Sequence, residues 1–283
     1  MPTFPGAAGT VFHDQWLPTT PERGAVVLLH GHGEHLGLYD ALARRLAADG
    51  QAVHALDVVG HGRSDGERAL IPSWDLLVDD ARTLTTIARE QHPGVPLTVI
   101  GHSGGALAAL LLALRSPELV DALVLSAPPA VAQEWIHEWL ASGEPELPVE
   151  DPRELLSTHA EYVDALLHDP LTHHGGFRRE TLQAVADTWP EVADGLADGR
   201  PGVPVLLVHG EADPLVPVEH AHLVAGRLAD ARVVTFPGDL HDVLNEHDRD
   251  AVHDVVAAFV GEVTTPVAAA ASDSSKSSGS SPS

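Results

Sequence analysis

At 283 residues, 44% of them apolar, the chain is long enough to bury a sizeable core, and its 41 acidic against 16 basic side chains give a formal charge of −25. No basic stripe exists to neutralise phosphate, which makes nucleic acid and anionic membrane surfaces poor partners: the arginines are scattered, with short pairs only at Arg44–Arg45 and Arg178–Arg179, and the one lysine is Lys276. The lack of cysteine excludes a disulfide framework, a thiolate metal site and a cysteine nucleophile, and fits a cytoplasmic protein.

The first residues, Met1-Pro2-Thr3-Phe4-Pro5, show neither a charged n-region nor an apolar h-region, so no signal peptide is expected. No apolar stretch is long enough to span a bilayer. Ala25–Leu29 reads as a buried strand, β-branched and apolar on both faces, and Tyr39–Ala48 follows with helical spacing. Ala52–Leu56 is a second strand. Trp74–Gln91 is a helix closed by Pro93, Leu97–Ile100 a strand, Ala106–Leu114 a helix and Ala122–Leu125 a strand.

Between Pro128 and Gly202 the alternation stops. Helical patterns at Val131–Leu140, Arg153–Leu167 and Arg179–Trp189 predict a helical insertion lying over the carboxyl edge of a sheet. Its first helix carries Val131, Trp135, Ile136, Trp139 and Leu140 on one face, which packs on the main domain, lines an acyl-chain pocket, or does both. Strand Val203–Val208, a helix near Glu219–Leu228, strand Val233–Phe236 and a last helix over Asp248–Val263 resume the alternation. The expected organisation is a core from 1–127 and 203–265, a helical cap over 128–202, and a disordered Ser/Ala-rich tail over 266–283. Strand–helix alternation of this kind implies an α/β fold with a mostly parallel sheet, helices on both faces, and ligands at the carboxyl ends of its strands.

The chemistry is expected at those ends. Gly101-His102-Ser103-Gly104-Gly105 places a serine on a sharp strand-to-helix turn, the nucleophile elbow of α/β-hydrolases. Glycines at 101 and 105 let strand and helix approach closely. Asp213 follows the strand ending at Val208, and His241 sits on a loop before the last helix, so the chain order is serine, aspartate, histidine. In such a triad His241 takes the Ser103 proton and returns it to the leaving group, while Asp213 orients the imidazole. Asp239 and Asp242 compete for the acid role. The tetrahedral oxyanion needs preplaced N–H donors, expected from the amides of Gly104 and His32. His102 reads as a packed neighbour. Glu34 reads as a local hydrogen-bonding residue, and Asp57 and Ser64 as turn residues bonded to nearby backbone.

His30-Gly31-His32-Gly33-Glu34-His35, with Tyr39 just after, resembles the HG-x-GEH…Y signature of monoacylglycerol lipases and related lysophospholipases, in the serine-aminopeptidase-like hydrolase group. Asp57-Val58-Val59-Gly60-His61-Gly62-Arg63-Ser64-Asp65-Gly66, Gly101-His102-Ser103, Asp169-Pro170-Leu171, His209-Gly210-Glu211-Ala212-Asp213 and Leu240-His241 are similar to further blocks of that group, in order, from about Gly9 to Val263. The resemblance implies the α/β-hydrolase fold with a cap, the same triad, and small-molecule ester substrates of lipid type, with no cofactor and no metal. One departure stands out. Members carry methionine after the serine, whereas this chain has Gly104; the amide survives, but the missing side chain is expected to alter the pocket wall.

The expected activity is cleavage of carboxylic esters, monoacylglycerols or lysophospholipids, through an acyl-enzyme. Peptidase, thioesterase and acyltransferase chemistry use the same machinery. Two remoter readings are a metallo-β-lactamase-like hydrolase, in which His30, His32, Glu34 and His35 would hold metals, and a hydrolase fold turned ligand receptor. Nothing in the sequence fixes the oligomeric state.

Overall fold

The computed structural model describes residues 2–265, so the expected tail from 266 onward lies outside the described residues. Eight strands form one sheet: β1 (Thr3–Gly6), β2 (Gly9–Trp16), β3 (Gly24–Leu29), β4 (Gln51–Leu56), β5 (Leu97–His102), β6 (Ala122–Ser126), β7 (Val205–Gly210) and β8 (Ala231–Phe236). Their spatial order is β1-β2-β4-β3-β5-β6-β7-β8. β1 pairs with β2 and β2 with β4 antiparallel, and every later pair is parallel. A parallel sheet needs cover on both faces, and the strand sequences provide it by alternation. Ala25, Val27 and Leu29 point into one apolar layer, Val26 and Leu28 into the other; Val205 and Leu207 oppose Leu206 and Val208 in the same way.

The first layer is closed by α2 (Trp74–Gln91), α3 (Gly104–Arg115) and α8 (Val218–Ala225), the second by α1 (Asp40–Ala48) and α9 (Arg249–Val263). α3 is buried along almost its whole length because it lies against the central strands and beneath the insertion, so its alanines and leucines need no polar face. No helix among the described residues is long and apolar enough to cross a membrane.

The insertion between β6 and β7 holds α4 (Glu134–Ser142), α5 (Pro152–Leu155), α6 (Ala160–His168) and α7 (Arg179–Ala197). Here the structure differs from the sequence pattern in three places. α4 starts at Glu134, after the Pro128-Pro129 pair, instead of at Val131. The helix expected over Arg153–Leu167 is two helices, broken at 156–159, where Ser157 and Thr158 turn to meet a buried carboxylate. α7 runs past Trp189 through Pro190, which costs the helix one backbone donor; the buried Val192 and Leu196 beyond it keep the chain helical. The β1–β2 hairpin has no counterpart in the sequence reading. Its strands bury only Phe4, Val11 and Phe12, too few apolar positions to show a period.

The C-terminal ends of β3, β5, β7 and β8 share one edge, and two close approaches fix their spacing. A Cβ on Gly105 would overlap the Leu29 and His30 carbonyl oxygens at the end of β3, and one on Gly210 would overlap those of Leu240 and Asp239. Gly105→Ala is therefore expected to lower unfolding free energy by at least about 2 kcal/mol, since the obstruction is backbone and cannot rotate away. Urea unfolding measures this; an unchanged midpoint would show that strand and helix do not pass this closely.

Candidate active site

Ser103 closes β5 and caps α3. Its backbone sits at φ 49°, ψ −119°, a left-handed conformation that non-glycine residues avoid at a cost of about 1–3 kcal/mol. Gly101 permits the bend, because a Cβ there would overlap the backbone of Gly105 and Ala106. The turn is tied across the sheet by Ser103 N–H donating to Ser126 O at 2.8 Å. The strain aims the hydroxyl off the end of the strand, where it meets His241: Ser103 Oγ lies 2.8 Å from His241 Nε2.

His241 Nδ1 donates to Asp213 Oδ2 at 2.8 Å. Asp213 is held in turn. Its Oδ1 accepts from the amides of Leu215 at 2.8 Å and Val216 at 3.0 Å. Its Oδ2 also receives His209 Nε2–H at 3.1 Å, a hydrogen shared with Val216 O at 2.8 Å. The acid and base loops touch directly through Ala212 N–H to Asp239 O at 2.9 Å. The structure thus brings Ser103, Asp213 and His241 together in one continuous chain of hydrogen bonds. Asp239 makes no bond to His241, and Asp242 is instead bonded by Tyr162.

Burial and charge oppose each other here. Burial pushes the Asp213 carboxyl up, but the His241 ring, the His209 and His241 hydrogen bonds and the Val216 amide hold it well below the usual carboxylate range. Burial pushes the His241 imidazole down; Asp213, with Asp242 and Glu34 behind it, outweighs that and raises it above the ordinary histidine value. His102, whose ring packs 5.0 Å from that of His241, is driven well below its ordinary value, chiefly by burial, and stays neutral.

The amides of His32 and Gly104 make no hydrogen bond among the described residues. They lie close together, since a Cβ on Gly104 would sit 4.0 Å from His32 N. Gly104 N–H is a first-turn amide of α3, so it has no partner within the helix and adds the positive end of the helix dipole. The His32 ring is fixed by donating to Ala69 O at 3.1 Å and by stacking on Phe177 at 4.3 Å. Glu34 Oε2 accepts from Gly31 N–H at 2.9 Å and from Tyr39 O–H at 2.5 Å, which braces the same loop.

The metal-binding alternative required His30, His32, Glu34 and His35 to converge, and they do not. His30 bonds Gly31 O and Val58 N–H, while His35 bonds Gly37 N–H and Asp169. Among the described residues three possible ligands do approach one another: Glu34, His102 and Asp242, with donor atoms within 4.8 Å. Burial raises both carboxyls, and the Asp242 charge raises Glu34 further.

A cavity of about 420 Å³ opens at Ser103 and His241, a volume suited to a small ligand. Its walls come largely from the insertion: Trp135, Leu147, Val149, Leu156, Leu166 and Phe177 are among the apolar residues lining it, with Leu215 from the core. Of the apolar face expected on α4, only Trp135 reaches the cavity. Val131, Ile136, Trp139 and Leu140 pack into the core layer instead. The contribution of Phe177, His173 and His174 carried no motif and was not legible in the sequence.

The expectation about Gly104 needs correcting. The room of the missing side chain is not added to the cavity: a Cβ on Gly104 would lie 2.9 Å from Cζ2 of Trp74, a residue only 3% exposed and absent from the cavity lining. Trp74 fills the space. Gly104→Met is accordingly expected to destabilise by about 1–3 kcal/mol, and Trp74→Leu in the same chain to recover part of that loss. Additive losses in thermal unfolding of the single and double variants would show that the two positions do not share this space.

Comparison with known proteins gives one consistent picture. Residues 20–248 match the family model described as serine aminopeptidase, S33. A monoacylglycerol lipase of Mycolicibacterium smegmatis is 36% identical over 273 residues, covering 91% of this chain and 95% of that protein. The monoglyceride lipase of Homo sapiens is 29% identical, over 87% of this chain and 85% of that protein. Among solved structures, the monoacylglycerol lipase of Paleococcus ferrophilus superposes with a TM-score of 0.76 at 26% identity, covering 89% of this chain and 99% of that one.

Proposed function

The chain belongs to the serine aminopeptidase S33 family of α/β-hydrolases, and from that premise we propose that it hydrolyses monoacylglycerol-type lipid esters with Ser103 as nucleophile, His241 as general base and Asp213 as its orienting acid. The observation that carries this reading is the hydrogen-bonded run Ser103–His241–Asp213 set at the mouth of an apolar cavity beside two unused amides.

The steps follow from the geometry. Ser103 Oγ attacks the ester carbonyl carbon while His241 Nε2 takes its proton. The oxyanion of the tetrahedral intermediate is held by the His32 and Gly104 amides. Collapse breaks the ester C–O bond, and His241 returns the proton to the departing glycerol oxygen. Water then attacks the acyl-enzyme, giving its proton to His241, which passes it to Ser103 as the fatty acid leaves. Asp213 stays ionised throughout and stabilises the imidazolium formed in each half.

Residues 128–202 act as the cap over the core formed by 1–127 and 203–265, and supply most of the apolar wall for the acyl chain. The cavity lining holds no arginine or lysine, its acids are Glu150 and the buried Glu34, whose carboxyl burial pushes up, and the chain as a whole carries −25. That field favours an uncharged glycerol ester over a lysophospholipid with its anionic head group.

Ser103→Ala is expected to lower monoacylglycerol hydrolysis by at least about 10⁴-fold and to abolish labelling by a fluorophosphonate probe. A panel of monoacylglycerols and p-nitrophenyl esters of increasing length, with glycerol or nitrophenol release followed, tests both nucleophile and substrate class. Wild-type turnover in Ser103→Ala would end the reading.

The pH dependence has a definite sign. The base must be neutral to accept the serine proton, and its pKa is raised, so the protonated, inactive form persists to higher pH than for an ordinary histidine. Activity is therefore full above the raised value and falls through it on acidification, with a midpoint above about 6.5. A kcat/KM profile whose acid limb lies below that value would contradict the assignment of His241.

A further inference from the structure

We propose that Glu246 is a positioning residue for this reaction, its buried carboxylate tying the loop that carries His241 to the corner of the cap that walls the acyl cavity. The inference rests on the reading of His241 as the base.

Glu246 is fully buried, and no arginine or lysine pairs with it among the described residues. It is satisfied entirely by N–H and O–H donors from two separate parts of the chain. From the loop before α9, Leu240 N–H reaches Oε1 at 3.0 Å and His247 N–H reaches Oε2 at 3.2 Å. From the cap, Thr158 N–H lies 2.9 Å from both oxygens, and Oε2 also accepts Thr158 Oγ1–H at 2.8 Å and Ser157 Oγ–H at 3.0 Å. Burial alone would push this carboxyl up; the Leu240 and Thr158 amides and the two hydroxyls outweigh it and hold it below its ordinary value. It is ionised at neutral pH, and its bonds are of the stronger, charge-assisted kind.

The place of these bonds points to function. Three consecutive amides bracket the base. Leu240 N–H goes to Glu246, His241 N–H to Leu155 O at 3.3 Å, and Asp242 N–H to Leu156 O at 2.8 Å. Leu155 and Leu156 line the cavity, and the next two cap residues are the ones that grip Glu246. This is where the helix expected over Arg153–Leu167 breaks, so the break serves the tie. The cavity wall and the backbone of His241 are thus tied together, and Glu246 joins the two with both of its carboxylate oxygens.

The test is a series on the full-length chain, with kcat expressed per site titrated by a fluorophosphonate so that misfolded protein does not count. Glu246→Ala is expected to lower kcat at least about tenfold, because sub-ångström drift of the base is enough to cost that much. The acid limb should also move down by at least about 0.5 pH unit, because a loosened contact with Asp213 stabilises the imidazolium less. Glu246→Gln keeps one acceptor and should recover part of both changes. Thr158→Val removes one donor from an exposed position and should shift both readouts in the same direction, by about two- to threefold in kcat. Wild-type kcat per site in Glu246→Ala, or a raised KM with kcat unchanged, would overturn the proposal. If Glu246→Ala does not fold, Thr158→Val at wild-type kcat with an unmoved limb overturns it equally. A wild-type chain that neither hydrolyses esters nor reacts with the probe would instead sink the assignment of Ser103 and His241.

Discussion

The close passage of backbone past backbone at the carboxyl edge of the sheet is the constraint on which the rest of the structure depends. At Gly101, Gly105 and Gly210 no side chain fits, because each would overlap a neighbouring main chain. The first two let β5 turn into α3 within a residue, which forces Ser103 into its strained conformation. The third lets the loops carrying Asp213 and His241 lie against each other. Three short contacts therefore set the spacing of three side chains that are far apart in sequence. The strain at Ser103 is sustained because α3 is locked into the core along nearly its full length, so the turn has nowhere to relax.

Around that edge the electrostatics are arranged by burial more than by ion pairs. Several acids surround the proposed base, yet their environments divide them. Asp213 is wrapped by donors and ionised. Glu34 and Asp242 are each bonded by a tyrosine but are pushed up by desolvation. The charge that acts most strongly on His241 is the one in contact with Nδ1, with Asp242 and Glu34 adding to it from behind, so a protonated His241 would meet its nearest counter-charge at Asp213. His209 adds to this by sharing Asp213 Oδ2, which keeps that carboxylate in one orientation.

Much of this was legible in the sequence because the core elements have strong periods. The buried strands and the long amphipathic α2 fall where alternation and helical spacing put them, and the glycine-flanked serine, the aspartate after β7 and the histidine before α9 are all marked by position after a strand. What was not legible shares a physical character. The β1–β2 hairpin is an edge ribbon with few apolar residues, so it lacks a period. The break between α5 and α6 depends on Glu246, eighty-eight residues from Thr158 in the chain, and no local pattern encodes a partner at that distance. Trp74 reads as one more apolar residue at a helix start until the backbone of Gly104 is seen beside it. Helix limits near Pro190 misled for the opposite reason, since a local breaker lost to tertiary packing.

The pairing of Gly104 with Trp74 bears on how such a site diversifies. A side chain immediately after the elbow serine and the indole from α2 compete for one volume, so exchanging one for the other leaves the amide proposed as an oxyanion donor unchanged. The cavity walls, by contrast, come from the insertion, whose segments are anchored at the reacting edge: His173 N–H bonds Gly33 O at 2.8 Å beside the oxyanion loop, His35 bonds Asp169 at 3.0 Å, and Leu155 and Leu156 bond the loop of His241. The insertion is thus fastened to the core beside the proposed reacting groups. The stretch from Glu144 to Glu150 carries Leu147, Pro148 and Val149 into the cavity without making a hydrogen bond to Ser103, His241 or Asp213, so side-chain changes there alter the wall and leave the hydrogen-bonded run intact. A substitution at the anchors, by the same logic, is felt as a change in rate before it is felt as a change in preference.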